Sequence, residues 1–315
     1  MGFSKTLLTL FLVMFAASVS TADPLRLEKK VIKDAKRYYD LEVSYPRTGH
    51  AAIDRELETW ARALAKEFVD SAVDAHGQQP WTAEVSYEVP RNDGAVLSLL
   101  FTYYMYTGGA HPNSSLHSFY FLLPDGYNAA IGEVFSLRGI SRISDISIAQ
   151  LKRDIGGPDG MSDTDWIRRG AGPNGYNFRN FVLLPQELVL HFDAYQVAAY
   201  AAGPQEVHIP LAKLRDTMRL DARAPSASFD CGLARTTIEQ AICSTRDLAR
   251  LDRQLGDAYQ NKLTWAYDES ERTTIRQQQR AWLQLRDLTC FSARSNLAAC
   301  LMPVYQKRLA QLTAN

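Results

Sequence analysis

Residues 39–72, YDLEVSYPRTGHAAIDRELETWARALAKEFVDSA, change their hydrophobic period midway, and that change decides the fold class. Tyr39, Leu41, Val43 and Tyr45 alternate with polar neighbours, which places them on one face of a strand that Pro46 ends. From Ile53 the apolar residues recur every three or four positions. Ile53, Leu57, Trp60, Leu64, Phe68 and Ala72 line one stripe of a helix of about 25 residues, closed by His76, Gly77 and Pro80. Alternation returns at Trp81, Ala83, Val85, Tyr87 and Val89, and Asn92-Asp93-Gly94 reads as a hairpin turn. A long strand over 95–107 follows, with Leu97, Leu99, Phe101, Tyr103 and Met105 on one side. Another covers 115–123 and turns at Pro124-Asp125-Gly126.

Further on, the pattern predicts a helix over 143–154 and a Gly-rich polar connection over 156–177. Strands follow over 178–184, 188–192 and 206–209, then a short helix near Leu211. Successive hairpins with too few helices for βαβ repeats predict an α+β fold, an antiparallel sheet covered by the long helix. DARAPSAS, residues 221–228, reads as a linker, and everything beyond it is helical. Thr236 with Glu239 and Ser244 with Asp247 have capping-box spacing. Three apolar stripes follow: Leu248, Leu251, Leu255, Ala258 and Tyr259; Ile275, Trp282, Leu285 and Leu288; Leu297, Leu301, Val304 and Leu312. A bundle this small commonly needs covalent staples. The expected layout is therefore a signal peptide at 1–22, an α+β binding domain at 23–220, the linker, and an all-α domain at 229–315.

The beginning of the chain reads as a secretory signal. Lys5 is the positive n-region, Leu7 to Ala17 the apolar h-region, and Ser20 and Ala22 the small residues before the cut. The h-region is too short to span a bilayer as a helix. No cysteine near the cut offers a lipoprotein anchor, and no later run suits a membrane span, so a soluble periplasmic or secreted protein is expected. All four cysteines, Cys231, Cys243, Cys290 and Cys300, lie in the helical part. An even count in an exported chain, without the spacings or histidines of a zinc site, reads as two disulfides. Three pairings are possible, and nothing in the sequence decides among them; local pairing is the expectation.

Charge is divided unevenly: residues 226–315 carry 12 Lys and Arg against 9 Asp and Glu, a net of +3, while residues 23–225 carry 22 against 26, a net of −4. Neither value suits nucleic acid, which calls for a strongly basic face. Phosphate loops, nucleophile elbows and H-E-x-x-H pairs are absent. His50, His76, His111, His117, His191 and His208 are scattered, and Asp163 with Asp165 reads as solvated loop charge. No metal, no cofactor and no catalytic residue is expected, and the chain reads as a binding protein. Two segments stand out. YTGGAHPNS, residues 106–114, joins two strands through Gly108 and Gly109, a turn needing positive φ, and presents His111 near its tip. DAYQVAAYAAGPQ, residues 193–205, displays Tyr195 and Tyr200, which suit interface anchoring and core packing about equally.

With YTGGAHPNS, FLLPDG (121–126), GEVF (132–135) and NFVLLPQELVLHFDAYQVAAYAAGPQEVHIPLAKL (180–214), the first part resembles an extracytoplasmic domain of unknown function. That domain is found in ectodomains of lysozyme-binding anti-sigma factors and beside a peptidoglycan deacetylase domain. The second part resembles the LprI-type lysozyme-inhibitor family through FDCGLARTTIEQAICS (229–244), LARLDRQLGDAY (248–259), QRAWLQLRDLTC (279–290), Cys300 and VYQKRLAQL (304–312). The two resemblances together imply recognition of a c-type lysozyme, with a loop covering its two catalytic carboxylates. His111, Tyr195 or Tyr200 would supply the donor, or else exposed arginines such as Arg235 and Arg246. The alternative they leave open is a non-catalytic envelope protein that binds peptidoglycan or an envelope partner.

Overall fold

A computed structural model describes residues 23–72, 79–157, 162–219, 222, 227–291, 293 and 296–313. The expected signal peptide, the helix closure at His76 and Gly77, and most of the expected linker lie outside the described residues. The chain folds as α+β around three apolar cores.

The first core lies between a six-stranded sheet and one helix. Strands β1 (Glu28–Lys36), β2 (Tyr39–Arg47), β3 (Trp81–Asn92), β4 (Val96–Tyr106), β5 (Asn113–Leu122) and β6 (Tyr127–Asn128) pair in sequence order. Helix α1 (Ala51–Ala72) buries Ile53, Leu57, Ala61, Ala65, Phe68 and Ala72 against Leu41, Val43, Val85, Leu97, Leu99, Phe101, Phe119 and Phe121. The larger of these side chains, Ile53, Leu57 and Phe68 among them, contribute roughly 1.5–3 kcal/mol each. The sheet is antiparallel except between β2 and β3, where Tyr39 pairs with Trp81 and Val43 with Val85 in parallel register. The cause is α1 itself: a strand re-entering the sheet after a helical crossover runs parallel to the one it left. Pro90, which has no N–H to donate, sits where the β3–β4 register slips between Glu88 and Arg91. The Asn92–Gly94 turn forms as expected, with Gly94 at φ 75°.

The second core gathers helices α2 (Ile131–Val134), α3 (Leu137–Asp154) and α4 (Thr164–Gly170) with strands β7 (Phe181–Leu183), β8 (Glu187–Phe192) and β9 (Gln205–Pro210). The last three form a separate antiparallel sheet. Phe181 packs on Tyr120 at 5.4 Å between ring centres, joining this core to the reverse face of the first sheet. Helix α4 occupies part of the stretch read as connection; Asp163 caps it, accepting from the Trp166 N–H at 2.6 Å.

The third core belongs to helices α5 (Thr237–Ser244), α6 (Arg246–Trp265), α7 (Glu269–Cys290) and α8 (Leu297–Thr313). Two disulfides staple it, Cys231–Cys243 and Cys290–Cys300, the local pairing. The Thr236–Glu239 capping box is present, whereas Ser244 ends α5, its hydroxyl donating to the Ala241 carbonyl, and caps nothing. On α7, Ile275 and Trp282 are buried, but Leu285 and Leu288 are 61% and 75% exposed, contrary to the apolar stripe. The inward positions are held instead by Gln279, which accepts from Arg308 at 3.0 Å, and Arg286, which donates to the Tyr305 hydroxyl at 2.9 Å.

Helix α6 packs along the rest of the chain. The Gly175 N–H donates to Asp257 at 3.1 Å, and a Cβ on Gly175 would sit 2.6 Å from the same carboxylate, so a larger residue there would have to push Asp257 aside. Arg250 donates to the Asn128 carbonyl at 2.8 Å, and Arg246 and Arg250 lie 5.3 and 5.2 Å from the Tyr127 ring centre. Burial raises the Asp257 carboxyl above its ordinary range, with Arg253 opposing.

Candidate functional site

The two loops singled out in the sequence meet at the open end of β4 and β5. Gly108, at φ 82°, turns the chain out of β4 through a region that disfavours other residues; Gly109 is not in that region, so only one of the two glycines answers a conformational need. The second loop is fixed by Asp193. One of its oxygens accepts from the Leu116 N–H at 2.7 Å, satisfying a donor on the edge of β5, and the other pairs with the Arg179 guanidinium. Gln196 then ties the loop down, donating to the Gly170 and Asn177 carbonyls at 3.0 and 2.8 Å.

This anchoring brings His111, Tyr200 and Tyr195 together. The His111 and Tyr200 rings stack at 3.9 Å, and the Tyr195 ring lies 5.5 Å from that of Tyr200. The Tyr200 hydroxyl donates to the Pro112 carbonyl at 2.6 Å, and His111 Nδ1 lies 3.0 Å from the same oxygen. A carbonyl only accepts, so that contact places a hydrogen on Nδ1 and leaves Nε2 of the neutral ring an acceptor. His111 thus offers an outward donor to a carboxylate only as the imidazolium. Tyr195 differs from both. It is 51% exposed, holds φ at 68° although it is not glycine, and its hydroxyl has no partner among the described residues. Its carbonyl accepts from the Trp166 indole N–H at 3.0 Å, which fixes the backbone against α4. A tyrosine held in a disfavoured conformation by its surroundings is a recurrent mark of functional loops.

Arg235 and Arg246 do not join this cluster. Arg235 is exposed beside the α5 cap, its backbone N–H donating to Glu239 at 2.7 Å. Arg246 stacks over Tyr127 at the far end of β5, about 30 Å away for a ten-residue strand. Asp193 and Trp166, which hold the cluster in place, escaped the sequence reading; the position of Asp193 directly after a strand was the available signal. The histidines do not converge: His117 stacks on Trp60 at 5.2 Å, and His191 lies 3.1 Å from Glu206. No group of metal-ligating side chains forms among the described residues, and no described helix is long and apolar enough to cross a membrane.

A second concavity, about 370 Å³, lies where α6 and α8 pass β5 and the turn at Gly175–Phe178. His117, Tyr176, Arg179, Arg250, Gln254 and Asp257 line it. Although His117 stays open to solvent along one edge, desolvation, seconded by Arg179, lowers its pKa.

Three family models match successive parts of the chain. Residues 32–114 match the deacetylase PdaC model, residues 133–212 that of a protein family of unknown function, DUF3298, and residues 231–312 that of the lysozyme inhibitor LprI. Among individual relatives, the chain is 24% identical over 194 residues to the peptidoglycan-N-acetylmuramic acid deacetylase PdaC of Bacillus subtilis, a match covering 60% of this chain and 41% of the deacetylase. It is 34% identical over 85 residues to lipoprotein LprI of Mycobacterium tuberculosis, covering 27% of this chain and 40% of the lipoprotein. The chain therefore spans about two fifths of these relatives. A solved DUF3298 family protein from Pseudomonas aeruginosa aligns at a TM-score of 0.49 and 15% identity, over 64% of this chain and 97% of that one.

Proposed function

We propose that this chain is an exported binding protein, not an enzyme, and that it inhibits a c-type lysozyme by seating the Tyr195–Tyr200–His111 cluster in the enzyme's cleft. The observation that carries this reading is the meeting of three aromatic residues from two loops at one exposed point, with Tyr195 held in a disfavoured backbone conformation. Rigid tyrosines bury area at low entropic cost and act as interface anchors. The Tyr195 hydroxyl, and His111 when protonated, can donate to the two carboxylates that flank the scissile bond in such an enzyme. The likeness of residues 231–312 to the lysozyme inhibitor LprI supports the choice of target, and the two disulfides fit an oxidising compartment outside the cytoplasm. We further take residues 23–220 and 229–315 as two domains and residues 1–22 as a cleaved signal peptide.

The test is titration of the oxidised protein against a c-type lysozyme, followed by calorimetry and by muramidase rate. Near-stoichiometric inhibition is expected, weakened about tenfold or more by Tyr195→Ala. Absence of binding at tens of micromolar would overturn the reading. The rival, an envelope protein that binds peptidoglycan without catalysis, is favoured by the 24% likeness to a peptidoglycan deacetylase. It predicts saturable co-sedimentation with insoluble peptidoglycan when lysozyme is absent.

A further inference from the structure

The loop cluster does not end at Tyr195. Trp166, whose indole donates to the Tyr195 carbonyl at 3.0 Å, sits on α4 three positions before Arg169. Side chains three apart on a helix lie one above the other on one face. The Arg169 guanidinium in turn lies 5.7 Å from the ring centre of Trp265, the last residue of α6. Trp265 is 45% exposed, and Tyr267, two residues on, is 94% exposed. The direction of α6 explains the meeting. Its first turn packs on Tyr127 at one end of β5 and its middle touches Gly175, so its last turn comes to the end where the loops are.

We infer that His111, Tyr200, Tyr195, Trp166, Arg169 and Trp265, extended by Tyr267, form one continuous docking ridge, so that the helical bundle and the α+β part grip the same face of a single folded protein. This rests on the lysozyme reading and supplies what that reading lacks, a role for the helical bundle in the same contact. Tryptophan, tyrosine and arginine are the residues that dominate interface energies. A ridge drawn from seven side chains on two folded parts suits a standard protein interface of about 800 Å² per partner and exceeds what a small ligand would cover. Its most exposed aromatics, Tyr195 and Tyr267, are left to solvent by the fold and so stand open to a partner. Helix α4 is the bridge: it carries one ridge residue against each part.

Calorimetry of the full oxidised chain with a c-type lysozyme decides the matter, using Tyr195→Ala, Trp265→Ala and Tyr267→Ala. The expected result is one lysozyme per chain, with both Trp265→Ala and Tyr267→Ala weakening binding about fivefold to tenfold. The Tyr267 ring is left to solvent at 94% exposure and its bond to Glu271 runs through the backbone N–H, which alanine keeps, so its variant decides alone if Trp265→Ala does not fold. Binding that Tyr195→Ala weakens and Tyr267→Ala leaves unchanged overturns the ridge while the inhibitor reading stands. Two lysozymes per chain overturns it as well. No binding by the unaltered protein sinks both.

Discussion

Gly170 closes α4 directly beneath the Tyr195 loop, and Gly170→Ala tests how firmly that loop is held. A Cβ there would lie 1.8 Å from the Gln196 carbonyl oxygen and 2.7 Å from its carbon. Both are backbone atoms, so no side chain can swing aside, and the loop must retreat by about 1.5 Å to regain ordinary contact distance. That retreat stretches three hydrogen bonds: Gln196 to the Gly170 and Asn177 carbonyls, and Trp166 to the Tyr195 carbonyl. At about 1 kcal/mol each they account for about 3 kcal/mol, and residual overpacking adds about 1–3 kcal/mol. Replacing a glycine in a helix stabilises by roughly 0.4–1 kcal/mol through the unfolded chain, which offsets a little of this. The expected net loss is about 3–6 kcal/mol. Urea unfolding of Gly170→Ala beside the parent, with tryptophan fluorescence as a second probe, measures it. A loss under about 1 kcal/mol with unchanged fluorescence would refute the reasoning, because the loop would then be free to move without consequence.

Three further outcomes are expected. His191 is 7% exposed, and desolvation lowers its pKa despite Glu206 nearby. The unfolded chain therefore binds the proton more readily, and stability falls as pH drops below the ordinary histidine value of about 6.5; melting temperatures between pH 7 and 5 should show a shallower decline in His191→Gln than in the parent. Removing the Cys290–Cys300 bridge, with sequence separation 10, as the double alanine variant should destabilise the chain by about 3 kcal/mol in denaturant titrations; an unchanged midpoint would contradict this. Tyr195→Gly relieves the positive φ at the expense of a ring contact, so stability should stay within about 1 kcal/mol while lysozyme binding drops about tenfold. A loss of stability above about 2 kcal/mol would show that Tyr195 holds the loop together and is not a strained anchor.

Periodicity made α1 and one face of β4 legible, because Ile53, Leu57 and Phe68, and Leu97, Leu99 and Phe101, are apolar, buried and regularly spaced. It failed on α7 for a specific reason. The face turned inward passes through Gln279 and Arg286, which fit there because Arg308 and Tyr305 supply their partners, and Leu285 and Leu288 fall outside that face. A reading of hydrophobicity cannot foresee a polar residue whose partner comes from another helix. Strand β1 was missed because EKKVIKDAK is charged, as suits the edge of a sheet. The parallel β2–β3 pairing depends on how α1 returns the chain, which no local pattern records. His111, Tyr195 and Tyr200 were visible as unusual loop residues, and their meeting was not, since it is set by Asp193 reaching across to the Leu116 N–H.

Each cysteine is bonded to its immediate neighbour in cysteine order, first with second and third with fourth. A chain entering an oxidising compartment from its N-terminal side presents Cys231 and Cys243 as a closed couple before Cys290 arrives. Oxidation in order of appearance yields the native pattern without reshuffling, so maturation of this protein should be insensitive to loss of a disulfide isomerase while still needing a disulfide-forming oxidant.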